Sequence, residues 1–356
     1  MSQLLYGERS WNPLARTVEL TEYGLRRGGR TTPLSELNLG AMADAFLRGY
    51  WLGGGGAERP LGRLTDGPGA VPVTRATGTT KPVKVRQVAE FARTLGELAV
   101  RHCGGPEQVT ALAARAHAEG VPLWIARRFA PGPVGPIAVA VDRSLVRVDV
   151  WGPHAPVVRI RAPYGFQGEA GTDPSQGLHL TIGNDPAQLL IKRKVRKSKS
   201  RVEVRLRGQH WELRRENAKS SWLLRNEARV ALLTRPRGRP EPEPGTILLP
   251  LTPIHHESPD PLDAVMAHLF AVAFGFGDTT GAARFRRERR RRHGIEPIAL
   301  DEWWDRAWYS NLGQGRDDNE PGGSDGWGAD GGDGGDSGGS DGGGGGGDGG
   351  GGGGGD

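Results

Sequence analysis

A dense run of basic residues is the group of side chains best suited to act on a ligand. Cations occupy most positions between Ile191 and Arg201, and no apolar period survives there. Like charges this close repel one another unless an anion lies among them, so the run predicts a polyanion-binding loop, with a solvated basic face as the alternative. The predicted binding residues are Lys192, Arg193, Lys194, Arg196, Lys197, Lys199, Arg201 and Arg205.

A second basic run and two tryptophans extend this hypothesis. The run from Arg284 to Arg292 could bind phosphates in the same way. Trp211 and Trp222 could stack bases, although tryptophans in strands belong more often to a core. Nucleic acid and an anionic membrane surface both remain candidate partners, because both attract basic residues through charge.

The histidines near residue 255 are weaker candidates. His255, His256, Glu257 and Asp260 are metal-ligating types, but neighbours on an extended chain point to opposite sides. A zinc site needs three or four converging ligands, so no metal and no cofactor is predicted. His268 is expected to be a hydrogen-bonded core histidine.

No set of residues predicts catalysis. Residues 275–281 are glycine-rich but follow a helix and lack the Gly-Lys-Ser/Thr ending of a phosphate loop, and residues 77–81 fail likewise. Cys103 is next to His102 only in sequence and is expected to be structural. We therefore expect a non-enzymatic protein, with an enzyme as the third hypothesis.

The basic run lies among predicted antiparallel strands. Val202, Val204 and Leu206 alternate with charged residues. This period of two indicates a β-strand with one buried face and one solvent-exposed face. Similar alternation recurs from Ile137 to Thr234, which gives roughly eight to ten strands without a helix between them. Strands joined by short turns favour an antiparallel barrel or sandwich.

An apolar helix is predicted behind these strands, over residues 259–275. Ser258, Pro259 and Asp260 form a typical helix start. The following residues are apolar on nearly every face, which predicts burial inside the protein. A C-terminal helix over residues 299–309 carries Trp304 and Trp308, which could bind a protein partner.

The predicted fold class is α+β with three parts. Residues 1–130 form a mixed region with a β-hairpin at Gly28–Gly29, a helix over Met42–Leu52, a loop or linker over residues 57–80, and a helical hairpin over residues 83–119. Residues 137–312 form a barrel-like β domain around the buried helix. Residues 313–356 form a disordered Gly/Asp tail, because they cannot bury enough apolar area.

Charge separates the tail from the rest of the chain. The formal net charge is +6, and because residues 317–356 contribute ten acids and no lysine or arginine, residues 1–316 carry +16. A single cysteine, no secretory signal and no apolar run long enough for a membrane span predict a cytoplasmic protein.

The strand run resembles a known family. The segments Trp222–Arg225 and Val230–Arg235, followed by the apolar helix at Asp260–Phe274, are similar to the C-terminal part of tubby-like and phospholipid-scramblase-like domains. The resemblance covers residues 137–276. It implies a β-barrel around a buried helix and binding of phosphoinositide-type or other anionic headgroups, and no binding residue carries over.

Two functions are predicted from these features. The first is non-enzymatic polyanion binding through the basic hairpin loop, with the acidic tail as a competitor for the same surface. The alternative is a scaffold module that binds a protein partner through Trp304 and Trp308, with the tail as a spacer.

Overall fold

The computed structural model describes the chain over residues 3–8, 17–142, 147–161, 175, 178–192, 200–217, 219–235, 241–242 and 244–274. The predicted helix at 299–309, the tail at 313–356 and the basic run at 284–292 lie outside these residues. Among the described residues, no helix is long and apolar enough to cross a membrane.

The N-terminal region combines small antiparallel sheets with three helices. Its first sheet has the order β1 (Leu4–Gly7), β2 (Val18–Thr21), β3 (Gly24–Arg27), β4 (Arg30–Pro33). Two further ladders pair β5 (Tyr50–Leu52) with β6 (Glu58–Pro60) and β7 (Gly69–Thr74) with β8 (Thr80–Val85). The helices are α1 (Leu39–Leu47), α2 (Val88–His102) and α3 (Pro106–Glu119).

The predicted hairpin of α2 and α3 is confirmed from Val88 onward, whereas residues 83–85, predicted as its start, belong to β8. The packing of α2 and α3 explains why these segments are helical. Leu95 and Leu98 face a core that also holds α1. Gly96 lets α2 approach α1 closely, because a Cβ added there would lie 2.3 Å from the Phe46 ring. Gly120 ends α3 in the left-handed conformation that glycine adopts without strain.

Residues 57–80 are not a linker, contrary to the prediction from their Gly, Pro and Thr content. They contain β6, β7 and the first residue of β8. Val71 and Val73 are buried, and the indole Nε1 of Trp51 donates to the carbonyl of Pro72 at 2.9 Å. Pro72 lies opposite Pro82 in a two-stranded ladder, where each strand has an unpaired edge that tolerates a missing N–H donor. Trp51 and Leu52 belong to β5, so the helix predicted over 42–52 ends at Leu47.

The second half of the chain is dominated by one antiparallel sheet of eleven strands, whose order follows the sequence. The strands are β9 (Arg127–Ala130), β10 (Ile137–Asp142), β11 (Arg147–Trp151), β12 (Val158–Arg161), β13 (His179–Ile182), β14 (Asp185–Lys192), β15 (Arg201–Leu206), β16 (Gln209–Arg215), β17 (Ser220–Arg225), β18 (Ala228–Thr234) and β19 (Ile254–His256). β9, placed with residues 1–130 by the sequence, pairs with β10 in this sheet.

Two hairpins in this sheet turn through two residues with positive φ. Arg207 and Gly208 have φ of 43° and 81°, and Asn226 and Glu227 have φ of 46° and 71°. Both turns therefore match the twist of their strands. Gln209 is not part of the first turn, because it already pairs with Leu206.

The apolar helix is α4 (Pro261–Phe274), and it is buried on almost every face. It contacts β10, β11 and β12 towards one end of the sheet and β18 and β19 at the other. In a flat sheet β10 and β18 would be about 38 Å apart at the usual strand spacing, far more than the width of a helix. The sheet therefore curls around α4.

The sheet does not close into the predicted barrel. In the described part of the chain, β9 and β19 stand at opposite ends of a linear order. The apolar side chains of α4, such as Val265, Leu269 and Phe270, fill the inside of the curl and join the valines and leucines of the sheet in one core. Thus α4 buries the inner face of the sheet, although the two end strands are not hydrogen-bonded to each other.

The start of α4 is shifted from the prediction by two residues. Asp260 is the capping residue, since its Oδ1 accepts from the backbone N–H of Leu262 at 2.8 Å, and Pro261 occupies the first helical position. Ser258 Oγ donates to Asp263 at 2.7 Å. Arg225 forms ion pairs with both Asp260 and Asp263, which ties this end of the helix to β17.

Candidate polyanion-binding surface

The described part of the predicted site lies on the outer face of the curled sheet. Lys192 ends β14, and Arg201 and Arg205 lie on β15 with their side chains turned away from α4. Their side chains are 38%, 46% and 51% exposed. The other five predicted residues, Arg193, Lys194, Arg196, Lys197 and Lys199, lie outside the described residues.

One buried carboxylate organises these three cations. Glu203 is on the same outer face but only 1% exposed, beneath the longer basic side chains. Its carboxylate lies 2.8 Å from Lys192 Nζ, 2.8 Å from Arg201 Nε and 2.7 Å from Arg205 Nη2. Burial alone would raise the pKa of Glu203, but the hydrogen bond and charge of Lys192, together with the charge of Arg201, lower its pKa overall.

A second carboxylate repeats this arrangement on the next strand. Glu212 lies directly opposite Glu203 across β15 and β16, a pairing that repulsion would disfavour without nearby cations. Arg214 Nη2 lies 2.9 Å from Glu212, and Arg201 Nη1 lies 3.9 Å from it. Four cations thus surround two carboxylates, which leaves two positive charges in excess among these six side chains.

The strand register aligns part of this surface into a row. Lys192 is opposite Arg201, Arg201 is opposite Arg214, and Arg214 is opposite Trp222. Directly opposed residues on neighbouring antiparallel strands lie on the same face of a sheet. Sequence reasoning identified the first two members, and it missed Arg214 because the register of β15 with β16 is a tertiary property.

The two tryptophans named as base-stacking candidates have different environments. Trp211 is fully buried in the core, and its Nε1 donates to Asp263 at 2.9 Å. Trp222 is half-buried on the outer face, with the guanidinium of Arg229 over its ring at 4.5 Å from the centroid. Only Trp222 is placed where a ligand on the outer face could reach it.

Another cluster of arginines has a structural role that the sequence did not reveal. Asp149 is fully buried on β11 and pairs with Arg147, Arg159 and Arg161. Arg147 and Arg159 also donate to the carbonyls of Gly120 and Glu119 at the end of α3, at 2.6 and 2.8 Å. These arginines join the helical hairpin to the sheet and satisfy carbonyls that a helix end leaves unpaired.

The histidines show no metal cluster in the described residues, where no three His, Cys, Asp or Glu side chains come together. His256 packs against His268, with ring centroids 5.7 Å apart, while His255 is exposed. His268 is buried as expected, but within the described chain its Nε2 has no hydrogen-bond partner, and neither has either ring nitrogen of His256. Burial lowers the pKa of His268 to about 3.

Among the described residues, Cys103 and one open cleft lie apart from the basic surface. Burial raises the pKa of the Cys103 thiol, which disfavours the reactive thiolate. An open cleft of about 700 Å³ between the first sheet and the segment after α3 is lined by Glu22, His102 and Arg127 among others. Arg127 there is held by Glu119 at 2.9 Å and by the carbonyl of Val121 at 2.5 Å. Residues 275–281, Trp304 and Trp308 lie outside the described residues.

Comparison with known proteins adds no further constraint on the site. No protein-family model, no curated protein and no solved structure matches this chain.

Proposed function

We propose that this protein binds a polyanion on the outer face of β14, β15 and β16. The observation that carries the proposal is the convergence of Lys192, Arg201 and Arg205 on the buried carboxylate of Glu203. One buried anion fixes the positions of three partly exposed cations and neutralises only one of their charges. A surface of this kind is preorganised for further anionic groups, since its side chains lose less freedom on binding.

The surplus charge makes the proposal quantitative. Each phosphate neutralised by a lysine or arginine contributes about −0.9 to the slope of log affinity against log salt concentration for duplex DNA. Lys192, Arg201, Arg205 and Arg214 carry a surplus of two positive charges over the carboxylates of Glu203 and Glu212. Neutralising two phosphates would give a slope of about −2. The resemblance to tubby-like domains favours anionic headgroups as one ligand class, and the basic row is equally compatible with nucleic acid.

The test is a salt titration of the full-length protein against labelled DNA, labelled RNA and anionic liposomes. The charge reversals Arg201→Glu and Arg205→Glu are expected to weaken binding and to reduce the salt slope. Arg63→Glu is the matched control, because Arg63 is exposed on the N-terminal region and its reversal changes the net charge equally. Equal weakening by Arg63→Glu, or no binding to any of the three, would contradict the proposal.

We also propose that the acidic residues 317–356 compete for this surface. Support comes from charge, since this segment has ten acids against a surface with excess arginine and lysine. Forty Gly-rich residues have a root-mean-square reach of about 35 Å as a free chain. Replacing the ten acids with their amides in the full-length chain should tighten polyanion binding at low salt. Unchanged affinity would reject competition and leave the binding proposal intact.

A further inference from the structure

The outer face carries an aromatic group at the end of its basic row. Across β14, β15, β16 and β17 the opposed residues are Lys192, Arg201, Arg214 and Trp222. Three strand spacings cover about 14 Å. The first three strands of the row therefore carry cations side by side, and the fourth strand carries an indole.

The indole and an arginine form a cation–π pair, the stacked pair of this surface. The Arg229 guanidinium lies over the Trp222 ring at 4.5 Å from its centroid, and Arg229 is exposed. Arg229 comes from β18, which pairs with the strand that carries Trp222. Nucleobases stack both on aromatic rings and on the plane of an arginine guanidinium, so this pair offers a surface for a base.

We infer that this row is a platform for single-stranded nucleic acid, in which Lys192, Arg201 and Arg214 contact phosphates and the Trp222–Arg229 pair stacks a base. The inference rests on the proposed polyanion binding and names the ligand class. Proteins that bind single strands combine a basic track for the backbone with aromatic platforms for unpaired bases. A duplex keeps its bases stacked on each other, and a lipid headgroup has no base, so neither uses the stacked pair.

The register separates the two kinds of contact. Arg214 lies between Arg201 and Trp222 on neighbouring strands, so a backbone that follows the row passes from cations to the stacked pair without changing direction. Arg214 is also held by Glu212 at 2.9 Å, which orients it on the same face. Substitutions can therefore remove stacking and leave the phosphate contacts in place.

The experiment compares polyanions that have about the same number of phosphate groups and differ in whether they carry bases. Full-length protein is titrated against labelled oligo-dT and oligo-U of 12 nucleotides, and against inorganic polyphosphate of 12 phosphates. Trp222→Leu is expected to weaken oligonucleotide binding about 10-fold, the usual effect of losing one stacked base, and to change polyphosphate binding by less than about 2-fold. Trp222→Phe, which keeps a ring, is expected to retain most of the affinity.

Arg229→Lys is the deciding variant if Trp222→Leu also lowers thermal stability. It keeps the positive charge and the indole but removes the planar group, so oligonucleotide affinity should fall several-fold with polyphosphate affinity unchanged. Arg207→Lys is the matched control, because Arg207 is exposed at the hairpin turn and pairs with Asp185. That control is expected to bind both ligands like the unmodified protein.

The outcomes separate this inference from the function it rests on. Polyphosphate or liposome binding with no preference for oligonucleotides, and no effect of Trp222→Leu or Arg229→Lys, would overturn the platform and leave polyanion binding in place. Duplex DNA bound as tightly as single strands would overturn it as well. Absence of binding to every polyanion would overturn both.

Discussion

Acidification should destabilise this protein through His268, and the size of the effect follows from its burial. His268 is 1% exposed on α4, and burial lowers its pKa to about 3. In the unfolded chain the same imidazole has a pKa near 6.5. The unfolded state therefore binds a proton that the folded state does not bind between these two values, so stability is full above pH 6.5 and falls as the pH drops towards 3.

The expected loss from this one group is about 2 kcal/mol between pH 7 and pH 5. His256 lies beside it with ring centroids 5.7 Å apart, and burial also lowers its pKa, which adds to the loss in the same direction. The measurement is urea unfolding of the full-length chain at half-unit pH steps from 7 to 5. His268→Leu, which keeps an apolar side chain of similar volume in the core, should lose the His268 part of the slope.

The matched control is Met266→Leu, since Met266 is also buried on α4 and carries no titratable group. Its pH dependence should equal that of the unmodified protein. An identical slope in His268→Leu and the unmodified protein would refute the argument, because the stability loss would then come from other groups.

Three further predictions concern packing and buried charge. Glu203→Gln removes the carboxylate shared by three cations. Because those cations are partly exposed and can be hydrated, we expect the free energy of unfolding to fall by only about 1–2 kcal/mol in chemical unfolding. A fall above about 4 kcal/mol would contradict this reasoning. Asp149→Asn leaves Arg147, Arg159 and Arg161 without their shared, fully buried anion, so a larger loss of about 3–5 kcal/mol is expected, measured in the same way and refuted by a neutral result. Gly96→Ala forces a methyl group against the Phe46 ring and should cost about 1–3 kcal/mol, whereas Gly62→Ala, with open space around it, should be within about 0.5 kcal/mol of the unmodified protein.

Local patterns predicted the elements of this fold better than their assembly. The alternation of Val202 and Val204 with charged residues identified β15, and the apolar run after Asp260 identified α4. Both depend on residues within one element. Closure into a barrel depends on contacts between strands more than a hundred residues apart, such as β9 and β19. The alternation of apolar and polar residues within one strand does not predict such contacts.

Residues 57–80 show how composition can mislead. Their glycines, prolines and threonines are typical of loops, yet Val71 and Val73 are buried against the N-terminal core. A two-stranded ladder tolerates proline because each strand has one unpaired edge. The signal that could have identified β7 was the short alternating Val-Pro-Val segment.

The sequence predicted that the candidate site is rich in positive charge, but it did not predict how the side chains are arranged in space. Lys192, Arg201 and Arg205 were identified from sequence, while Arg214 and Trp222 join them only through strand register. The role of Glu203 was hidden for a related reason. In the sequence it is one more solvent-facing position on an alternating strand, whereas in the fold it is 1% exposed and lies against Lys192, Arg201 and Arg205.

Two groups of arginines in the described chain surround a buried carboxylate, and they differ in what else they contact. Around Asp149, Arg147 and Arg159 also donate to the carbonyls at the end of α3, so their positive charge is used within the protein. Around Glu203 the cations lie on the outer face and are 38% to 51% exposed, with one buried carboxylate between them. The same local chemistry thus joins two parts of the fold in one place and leaves excess positive charge at the surface in the other. Arginine content alone cannot separate these two cases, whereas the exposure of each guanidinium and the acceptors around it can.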